Sequence, residues 1–264
     1  MKDLKISVNM KSKLVKETLS NLDKILVEDK VVCGGLAVQH YIPDHLYRYT
    51  CDLDMATKQA MNMTDFKQDV EPLVNHFQEE GYKTSENKSR YSYNLNVEKN
   101  PEETLIIQLT RRSPALIKNN EASISNELQN ALENKINESK YKVLKPEDLI
   151  IRKICRIGEF KEHYPTIHIP THKAESIEKR LQELVKKRTA LYESSSNLSK
   201  EDVIDLRLDC DIYDVEVLDL FNQLDQSYFE YSKSLRGLKD PKTFESFLKT
   251  FAPSLYSRIP SKIF

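Results

Sequence analysis

The sequence predicts an α/β (α+β) chain in which a mixed sheet flanked by helices is followed by a mostly helical carboxyl-terminal domain. Three observations lead to this expectation. Runs of strand length, either continuously apolar or alternating, occur up to about residue 112. A stretch rich in Asn, Ser and Glu follows at 119–139 and is typical of a linker that contains a polar helix. From residue 146 onward apolar residues recur at helical spacing, so the expected domains are 1–118 and 119–264.

The first domain begins with an amphipathic helix over 11–28, where apolar residues recur three or four positions apart. Residues 31–33 are apolar and suit a buried strand, and a helix can begin after the two glycines that follow. A second apolar run surrounds Asp52 and Asp54 and predicts another strand. A further helix is expected over 64–77, because its apolar stripe repeats at helical spacing.

Two alternating segments, 91–97 and 104–110, are separated by a Lys-Asn-Pro-Glu turn and predict a pair of adjacent strands. Beyond the linker, Pro146 is followed by two acidic residues, which marks the start of a helix. The remaining helices are predicted over 174–191, 199–208, 211–224 and 241–251.

Composition narrows the classes of function. The 264 residues carry a net charge of −1, so any nucleic-acid binding must use a local patch of charge. The amino terminus lacks the apolar core of a signal peptide, and no apolar run approaches membrane-spanning length. We therefore expect a cytoplasmic protein with no membrane partner. The four cysteines show no Cys-x-x-Cys spacing and are interpreted as reduced residues that pack in the interior.

The stretch 31–55 carries the strongest functional signal. Gly34 and Gly35 lie at a strand-to-helix junction, where glycine lets the backbone turn tightly and brings N–H groups close to an anion. Asp52 and Asp54 lie two residues apart in the next strand and would point to the same face. Two hard oxygen ligands side by side suit Mg²⁺ that also binds substrate phosphates. Each pair alone is common, but the chain has only five glycines and both pairs lie in one stretch.

The Gly-Gly-Leu-Ala segment at 34–37 and the Arg-x-Thr-x-Asp-Leu-Asp segment at 48–54 together resemble the first motif of the nucleotidyltransferase superfamily. They are most similar to the abortive-infection toxins of the AbiEii/AbiGii type. The resemblance implies a nucleotidyltransferase-like fold and assigns two sets of site residues. The nucleotide would be bound by Gly34, Gly35, Arg48 and Thr50, and Mg²⁺ by Asp52 and Asp54.

Two later segments extend the resemblance. The toxin family has a Leu-Lys-Pro-Glu-Asp-Leu helix start, which is matched at 144–149 and is followed here by Lys153. A later family motif with two acids is matched by Asp211 and Asp214, which share a helix face. The resemblance implies that Lys153 contacts the triphosphate, that Asp211 is a catalytic acid facing the site, and that Asp214 supports nucleotide binding as its partner. From the residues alone a structural role is equally compatible with the pattern, since a lysine among apolar residues requires an anion or an exit to solvent.

The chain departs from the family pattern at two positions. The returning strand commonly supplies a third carboxylate in the superfamily, but this chain has Gln108 there. The basic residue expected before the later acid is Cys210. The departure at Gln108 leaves three alternatives open for the metal site, namely a weaker second metal, a ligand from elsewhere in the chain, or lost activity.

The resulting hypothesis is a nucleotidyltransferase (EC 2.7.7 type) that uses Mg²⁺ to transfer NMP from an NTP to an acceptor hydroxyl, in a cleft between the two domains. The resemblance implies that the acceptor is the 3′ end of a tRNA and that the protein is the toxin of a toxin–antitoxin system, neutralised by a separate antitoxin protein. Two alternatives remain. One is transfer to a protein or a small molecule, which the near-neutral charge favours slightly. The other is an inactive module that binds nucleotide or a partner.

A second cluster of potential ligands is the histidine-containing segment at 163–172, which holds His163, His168 and His172. Their spacing is compatible with zinc. Two prolines and the lack of a supporting Cys or acid pattern favour a surface loop between helices.

Overall fold

A mixed β-sheet is the framework of the first part of the chain. The structure is a computed structural model, and it describes residues 8–89, 92–100, 103–167, 169, 176–193 and 199–258. The chain forms two compact units. The sheet unit comprises Met1–His40 and Tyr49–Lys145, and the helical unit comprises Tyr41–Arg48 and Pro146–Phe264. The chain therefore passes from one unit to the other three times.

The sheet contains seven strands within the described residues, in the order β3-β4-β5-β2-β1-β7-β6. β2 runs parallel to β5, and β1 runs parallel to β7, whereas the other neighbouring pairs are antiparallel. The strands are Val31–Cys33 (β1), Asp52–Ala56 (β2), Lys83–Lys88 (β3), Ser92–Asn100 (β4), Glu103–Thr110 (β5), Leu132–Ile136 (β6) and Ser139–Val143 (β7).

The helices of the sheet unit are Lys13–Ser20 (α1), Gly34–Val38 (α2), Met63–Glu79 (α3), Pro114–Asn119 (α4) and Glu121–Gln129 (α5). The predicted fold class, a mixed sheet with flanking helices, is confirmed. α3 matches its predicted span closely and begins at Asn62, whose side chain accepts hydrogen bonds from two backbone N–H groups. The first helix is shorter than the predicted 11–28. It ends at Ser20, where the side chain of Asn21 donates to the carbonyl of Glu17 at 2.8 Å.

The two faces of the sheet differ in polarity because the side chains of each strand alternate. On β4, Tyr93, Leu95 and Val97 are buried. The ring of Tyr93 stacks on Phe66 of α3 with centroids 5.3 Å apart, so this face packs against helices. The intervening residues of β4 are polar and form the opposite face, which is the face that carries the candidate site.

Residues 119–145 differ from the prediction. They were expected to form a linker and the beginning of the helical domain, but they contain α5 and the β6–β7 hairpin, and β7 pairs with β1 at Val32 and Val143. The division between the units at 145 therefore differs from the predicted boundary at 118. The hairpin was missed because six of its ten strand residues are polar or charged, and only Tyr141 and Val143 are buried.

The helical unit contains six helices among the described residues. They are Pro146–His163 (α6), Ile177–Glu193 (α7), Lys200–Phe221 (α8), Gln226–Leu235 (α9), Pro241–Phe251 (α10) and Pro253–Arg258 (α11). The prediction of two helices at 199–208 and 211–224 is wrong. They form the single helix α8, because no helix-breaking residue separates the two halves. No helix in the described part of the chain is long and apolar enough to cross a bilayer.

Candidate functional site

Two carboxylates lie side by side on β2. Leu53 and Met55 point into the core, with 0% and 1% exposure, and the alternating Asp52 and Asp54 are partly exposed on the other face. This arrangement follows from the two-residue period of a strand. Asp52 and Asp54 thus meet the geometric expectation of two acids on one face of a buried strand.

The carboxylate of Asp54 packs against the backbone of Gly34. Gly34 follows β1 directly and has φ of +73°, a backbone conformation that favours glycine. A Cβ atom built on Gly34 would lie 1.9 Å from Oδ2 of Asp54, which is shorter than any non-bonded contact. The absence of a side chain at this position therefore lets the carboxylate approach the backbone where α2 begins. The next residue, Gly35, is buried in α2.

Asp52 is oriented by two neighbours. The hydroxyl of Thr50 donates to its Oδ1 at 2.8 Å, and the amide Nε2 of Gln108 donates to its Oδ2 at 3.3 Å. Gln108 lies on β5 directly opposite Asp54 in the parallel register. An amide therefore occupies the place where the family resemblance implies a third carboxylate. Thr50 was expected to bind nucleotide, and its observed contact is with Asp52.

The donor set is compatible with Mg²⁺. Among the described residues, no group of three or more His, Cys, Asp or Glu side chains is arranged to hold a metal ion. Mg²⁺ is commonly bound by only one or two carboxylates, and water and substrate phosphates complete its coordination. Asp52 and Asp54 present hard oxygen atoms on one face beside a glycine backbone. These two residues fit the ion, and they are the residues that would hold it.

The other predicted site residues lie in the helical unit and form a network of ion pairs. Arg48 binds Asp214 through two bonds, from Nε to Oδ1 at 2.7 Å and from Nη2 to Oδ2 at 2.5 Å. Lys153 of α6 donates to Asp211 at 3.1 Å and lies 2.6 Å from Oδ2 of Asp214. Arg156, one turn further along α6, makes a two-bond contact with Asp211. We refer to these five residues as the ion cluster.

The ion cluster is buried, except at Arg156. The side chains of Asp211, Asp214 and Lys153 are 0%, 1% and 4% exposed, whereas that of Arg156 is 49% exposed. Burial by itself would raise the pKa of Asp211, but the charges and hydrogen bonds of Arg156 and Lys153 lower that pKa to about 2. Burial likewise opposes the charge of Arg48, yet Asp214 raises the pKa of Arg48 well above its ordinary value. Asp211 and Arg48 are therefore charged at neutral pH.

Cys210 lies beside these charges but is not a reactive thiol. It occupies the position where the family resemblance implies a basic residue. Burial is the main cause that raises the pKa of the Cys210 thiol, which disfavours the thiolate. The basic partners of Asp211 come from α6, since Lys153 and Arg156 bind it. The sequence signal for this pairing was that two cations on α6 and two acids on α8 each lie three residues apart, which places each pair on one helix face.

The segment Tyr41–Arg48 is attached to α8 by further contacts. The hydroxyl of Tyr213 donates to the carbonyl of Leu46 at 2.6 Å, and Nδ2 of Asn222 donates to the carbonyl of Tyr41 at 3.3 Å. Together with the Arg48–Asp214 pair, these bonds attach the segment to the helix. The segment precedes β2 by only a few residues, so the helical unit holds the chain just before the carboxylate strand.

Other acids of α8 are paired in the same way. Lys187 contacts both Asp205 and Asp209 at 2.5 Å, and Arg180 pairs with Glu216 at 3.2 Å. Asp219 accepts hydrogen bonds from two backbone N–H groups at the start of α11. The acids of this helix therefore serve as attachment points for neighbouring helices.

The histidine segment stays a prediction. His163 ends α6, and its Nδ1 lies 2.8 Å from the carbonyl oxygen of Glu159. His168 and His172 lie outside the described residues.

Comparison with known proteins assigns no family to the chain. No family profile and no curated protein matches the chain. Among solved structures, it is similar to an antigenic nucleotidyltransferase-like protein from Paracoccidioides brasiliensis, with 16% identity and a TM-score of 0.35. The match covers 72% of this chain and 91% of that protein. A likeness this weak assigns neither fold nor function, so the function is inferred from the side chains.

Proposed function

We propose that this chain is a nucleotidyltransferase that uses Mg²⁺ to transfer NMP from an NTP to an acceptor hydroxyl. The observation that carries the proposal is the packing of Asp54 against Gly34, where a Cβ atom would lie 1.9 Å from the carboxylate. A carboxylate pair beside a bare backbone can place a metal ion and a phosphate next to each other. The sequence resemblance of 34–37 and 48–54 to the superfamily motif supports the same reaction.

In the proposed complex, Gly34 and Gly35 bind the phosphates of the NTP through backbone N–H groups. Asp52 and Asp54 would hold Mg²⁺, and the bound ion would supply positive charge to neutralise the phosphates. Thr50 and Gln108 keep the Asp52 carboxylate in place, because each donates a hydrogen bond to one of its oxygens. The chain thus supplies a fixed anionic surface, and transfer depends on alignment of the acceptor with the α-phosphorus.

The roles implied for Arg48, Lys153, Asp211 and Asp214 in nucleotide binding stay predictions. Their observed contacts support a structural role, since their charged groups pair with one another inside the helical unit. A buried lysine that bridges two carboxylates would have to give up these bonds to bind a triphosphate. Arg156 is the most exposed cation of the cluster.

Two classes of acceptor are proposed, and a module without turnover is the alternative to both. Transfer to a tRNA 3′ end, by a toxin that a separate antitoxin neutralises, rests on the family resemblance. Transfer to a protein or small-molecule hydroxyl is supported by the near-neutral charge of the chain. A nucleotide-binding module without turnover is supported by Gln108, because that position lacks the third carboxylate.

The proposal is tested by incubating the purified chain with each α-³²P-labelled NTP, Mg²⁺ and total tRNA. We expect label on an acceptor with wild type and none with Asp52→Asn. Asp23→Asn is the matched control, since Asp23 is exposed in the same unit and should leave transfer unchanged. Label on tRNA or on the protein itself would identify the acceptor. Full transfer by Asp52→Asn would contradict the assignment, and nucleotide binding without pyrophosphate release would favour the inactive module.

A further inference from the structure

The face of the sheet that carries Asp52 and Asp54 continues across three more strands as two rows of side chains. The strand register places Asp54, Gln108, Asn94 and Asn87 in one row, and Asp52, Ile106, Asn96 and Ser85 in the row beside it. Residues directly opposite each other on neighbouring strands point to the same face. We call this the amide surface.

The amide surface is accessible to solvent. Asn94, Asn96 and Gln108 are partly exposed, Ser85 and Asn87 on β3 are exposed, and Ile106 between them is buried. Neighbouring strands lie about 4.8 Å apart, so the surface extends roughly 14 Å from β2 to β3. A ligand bound at the carboxylates can therefore reach these side chains without a change in the sheet.

Hydrogen bonds across the strands hold the amides in fixed positions. Nδ2 of Asn94 donates to Oδ1 of Asn87 at 3.0 Å, and Nδ2 of Asn96 donates to Oγ of Ser85 at 3.1 Å. Gln108 donates to Asp52, which joins the surface to the carboxylates. A primary amide offers two N–H donors and two acceptor positions. The hydroxyl of Ser92 also donates to Oδ1 of Asn94 at 2.6 Å and to Oε1 of Gln108 at 3.4 Å. An amide oxygen can accept two hydrogen bonds, so these oxygens retain acceptor capacity, and the orientation of the amides is already set.

The chemistry of the amide surface is neutral. The described residues of its two rows include no Lys or Arg, and their only charged residues are the two acids on β2. Lys83 lies in the next row, opposite Glu98. Tyr93, the buried aromatic of β4, points to the other face. A nucleic-acid surface typically offers cations for phosphates and aromatic rings for bases. Fixed amides suit a ligand with neutral hydroxyl groups, since each amide can both donate and accept hydrogen bonds.

The position of this surface assigns it to the acceptor. Gly34 lies on the β1 side of β2, where the proposed function places the leaving phosphates, and β5 and β4 lie on the opposite side. In phosphoryl transfer the attacking and leaving oxygens are roughly in line across the phosphorus. An acceptor must therefore arrive from the side of Gln108 and Asn94.

We propose that the acceptor is a small neutral polyhydroxyl compound, a sugar or polyol, held by the amide surface. This inference rests on the proposed nucleotidyl transfer and names the class of its second substrate. An acceptor hydroxyl oxygen forms a bond to the α-phosphorus and releases its proton to water. The bond from the α-phosphorus to the bridging oxygen breaks, and pyrophosphate leaves with that electron pair. The products are a sugar or polyol NMP ester and pyrophosphate.

The experiment separates possible acceptors by charge. A small-molecule cell extract is divided on ion-exchange resins into neutral, anionic and cationic fractions, and total tRNA forms a fourth sample. Each is incubated with the full chain, Mg²⁺ and α-³²P-labelled NTP, with Asp52→Asn as the control for the chemistry. We expect a labelled product that depends on Asp52 from the neutral fraction. If the labelled product that depends on Asp52 forms only from tRNA or from a charged fraction, the inference is overturned and the proposed function is preserved. No such product from any sample rejects both.

Variants of the amide surface provide a second measurement. Asn94→Leu combined with Asn96→Leu replaces two amides by side chains with the same branching at Cγ and should raise the KM for the neutral fraction about tenfold. The KM for NTP should stay unchanged, because the phosphates lie on the other side of β2. Glu98→Gln, on the same face but outside the two rows, is the matched control. An unchanged KM for the acceptor in the folded double variant would refute the role of the amides.

Discussion

The two pairs of aspartates in this chain have the same chemistry and opposite surroundings. Asp52 and Asp54 lie on a strand, are partly exposed, and face a bare glycine backbone and uncharged donors. Asp211 and Asp214 lie on a helix, are at most 1% exposed, and are bound by three cations. The first pair presents carboxylate oxygens at an accessible strand face, and the charge of the second pair is neutralised by cations of the protein.

The difference indicates that acidic residues that match the motifs of one family need not have the same surroundings. A carboxylate that is buried and ion-paired contributes to stability mainly because its partners would otherwise be buried alone. A carboxylate on an accessible strand face contributes little to stability and is available for chemistry. The comparison predicts that substitutions in the two pairs separate activity from stability.

The largest effect is expected on activity from Asp54→Asn. The variant loses one of the two anionic oxygen ligands, and transfer should fall by at least about a hundredfold because several kcal/mol of charge stabilisation disappear. Its free energy of unfolding should stay close to that of wild type. Nucleotide transfer and urea denaturation, measured on the same preparation, check both statements. A stable variant with wild-type transfer would remove Asp54 from the site.

The converse result is expected from Asp214→Asn. The neutral amide leaves Arg48 and Lys153 without a carboxylate that both contact, and the free energy of unfolding should fall by about 3–5 kcal/mol. The control is Glu121→Gln, because Glu121 pairs with Lys58 on the surface, with 62% and 41% side-chain exposure. That change should lower stability by no more than about 0.5 kcal/mol. Equal denaturant midpoints for the two variants would contradict a structural role of the cluster.

Gly34→Ala tests the approach of Asp54 to the backbone, with Gly81→Ala as its control. Both glycines have positive φ, +73° and +81°, so both variants carry a backbone strain of about 1–2 kcal/mol. A Cβ on Gly81 meets no atom within 4 Å, whereas one on Gly34 displaces the Asp54 carboxylate. We therefore expect the larger loss of stability in Gly34→Ala, and loss of transfer in that variant alone. Retained transfer in that variant would refute the proposed geometry.

The smallest effect is the dependence of stability on pH. The pKa of Asp211 is lowered in the folded chain from an ordinary 3.8 to about 2. A lowered folded pKa stabilises the chain above the unfolded pKa, and this stabilisation is lost as the pH falls through the folded pKa. The difference in unfolding free energy between wild type and Asp211→Asn should therefore shrink by roughly 2 kcal/mol from pH 5 to pH 2. A difference that stays constant in urea denaturation over this range would contradict the ion pairing.

Local patterns predicted much of the fold. The spacing of apolar residues predicted α3, and alternation predicted β4 and β5. The two-residue spacing of Asp52 and Asp54 predicted their common face. Each of these predictions depends on residues close together in the chain, where the periods of helix and strand determine which side chains share a face.

Long-range pairing could not be predicted in the same way. The β6–β7 hairpin has few apolar side chains, so its place beside β1 has no local signal. Arg48 and Asp214 are separated by 166 residues, and nothing near Arg48 in the sequence indicates a helix partner. The resemblance implied that both residues take part in binding one nucleotide. It could not indicate that the charge of Arg48 would be neutralised by Asp214 instead.

The position of the segment Tyr41–Arg48 has a consequence for synthesis of the chain. Arg48 leaves the ribosome before β2, but its partner Asp214 follows 166 residues later. At 5–20 residues per second, this interval lasts roughly 8–33 s. During that time the chain just ahead of the carboxylate strand lacks the helix that later holds it. A fragment that ends at Lys145 would contain every residue of the sheet unit, but its segment Tyr41–Arg48 would never acquire the contacts with α8.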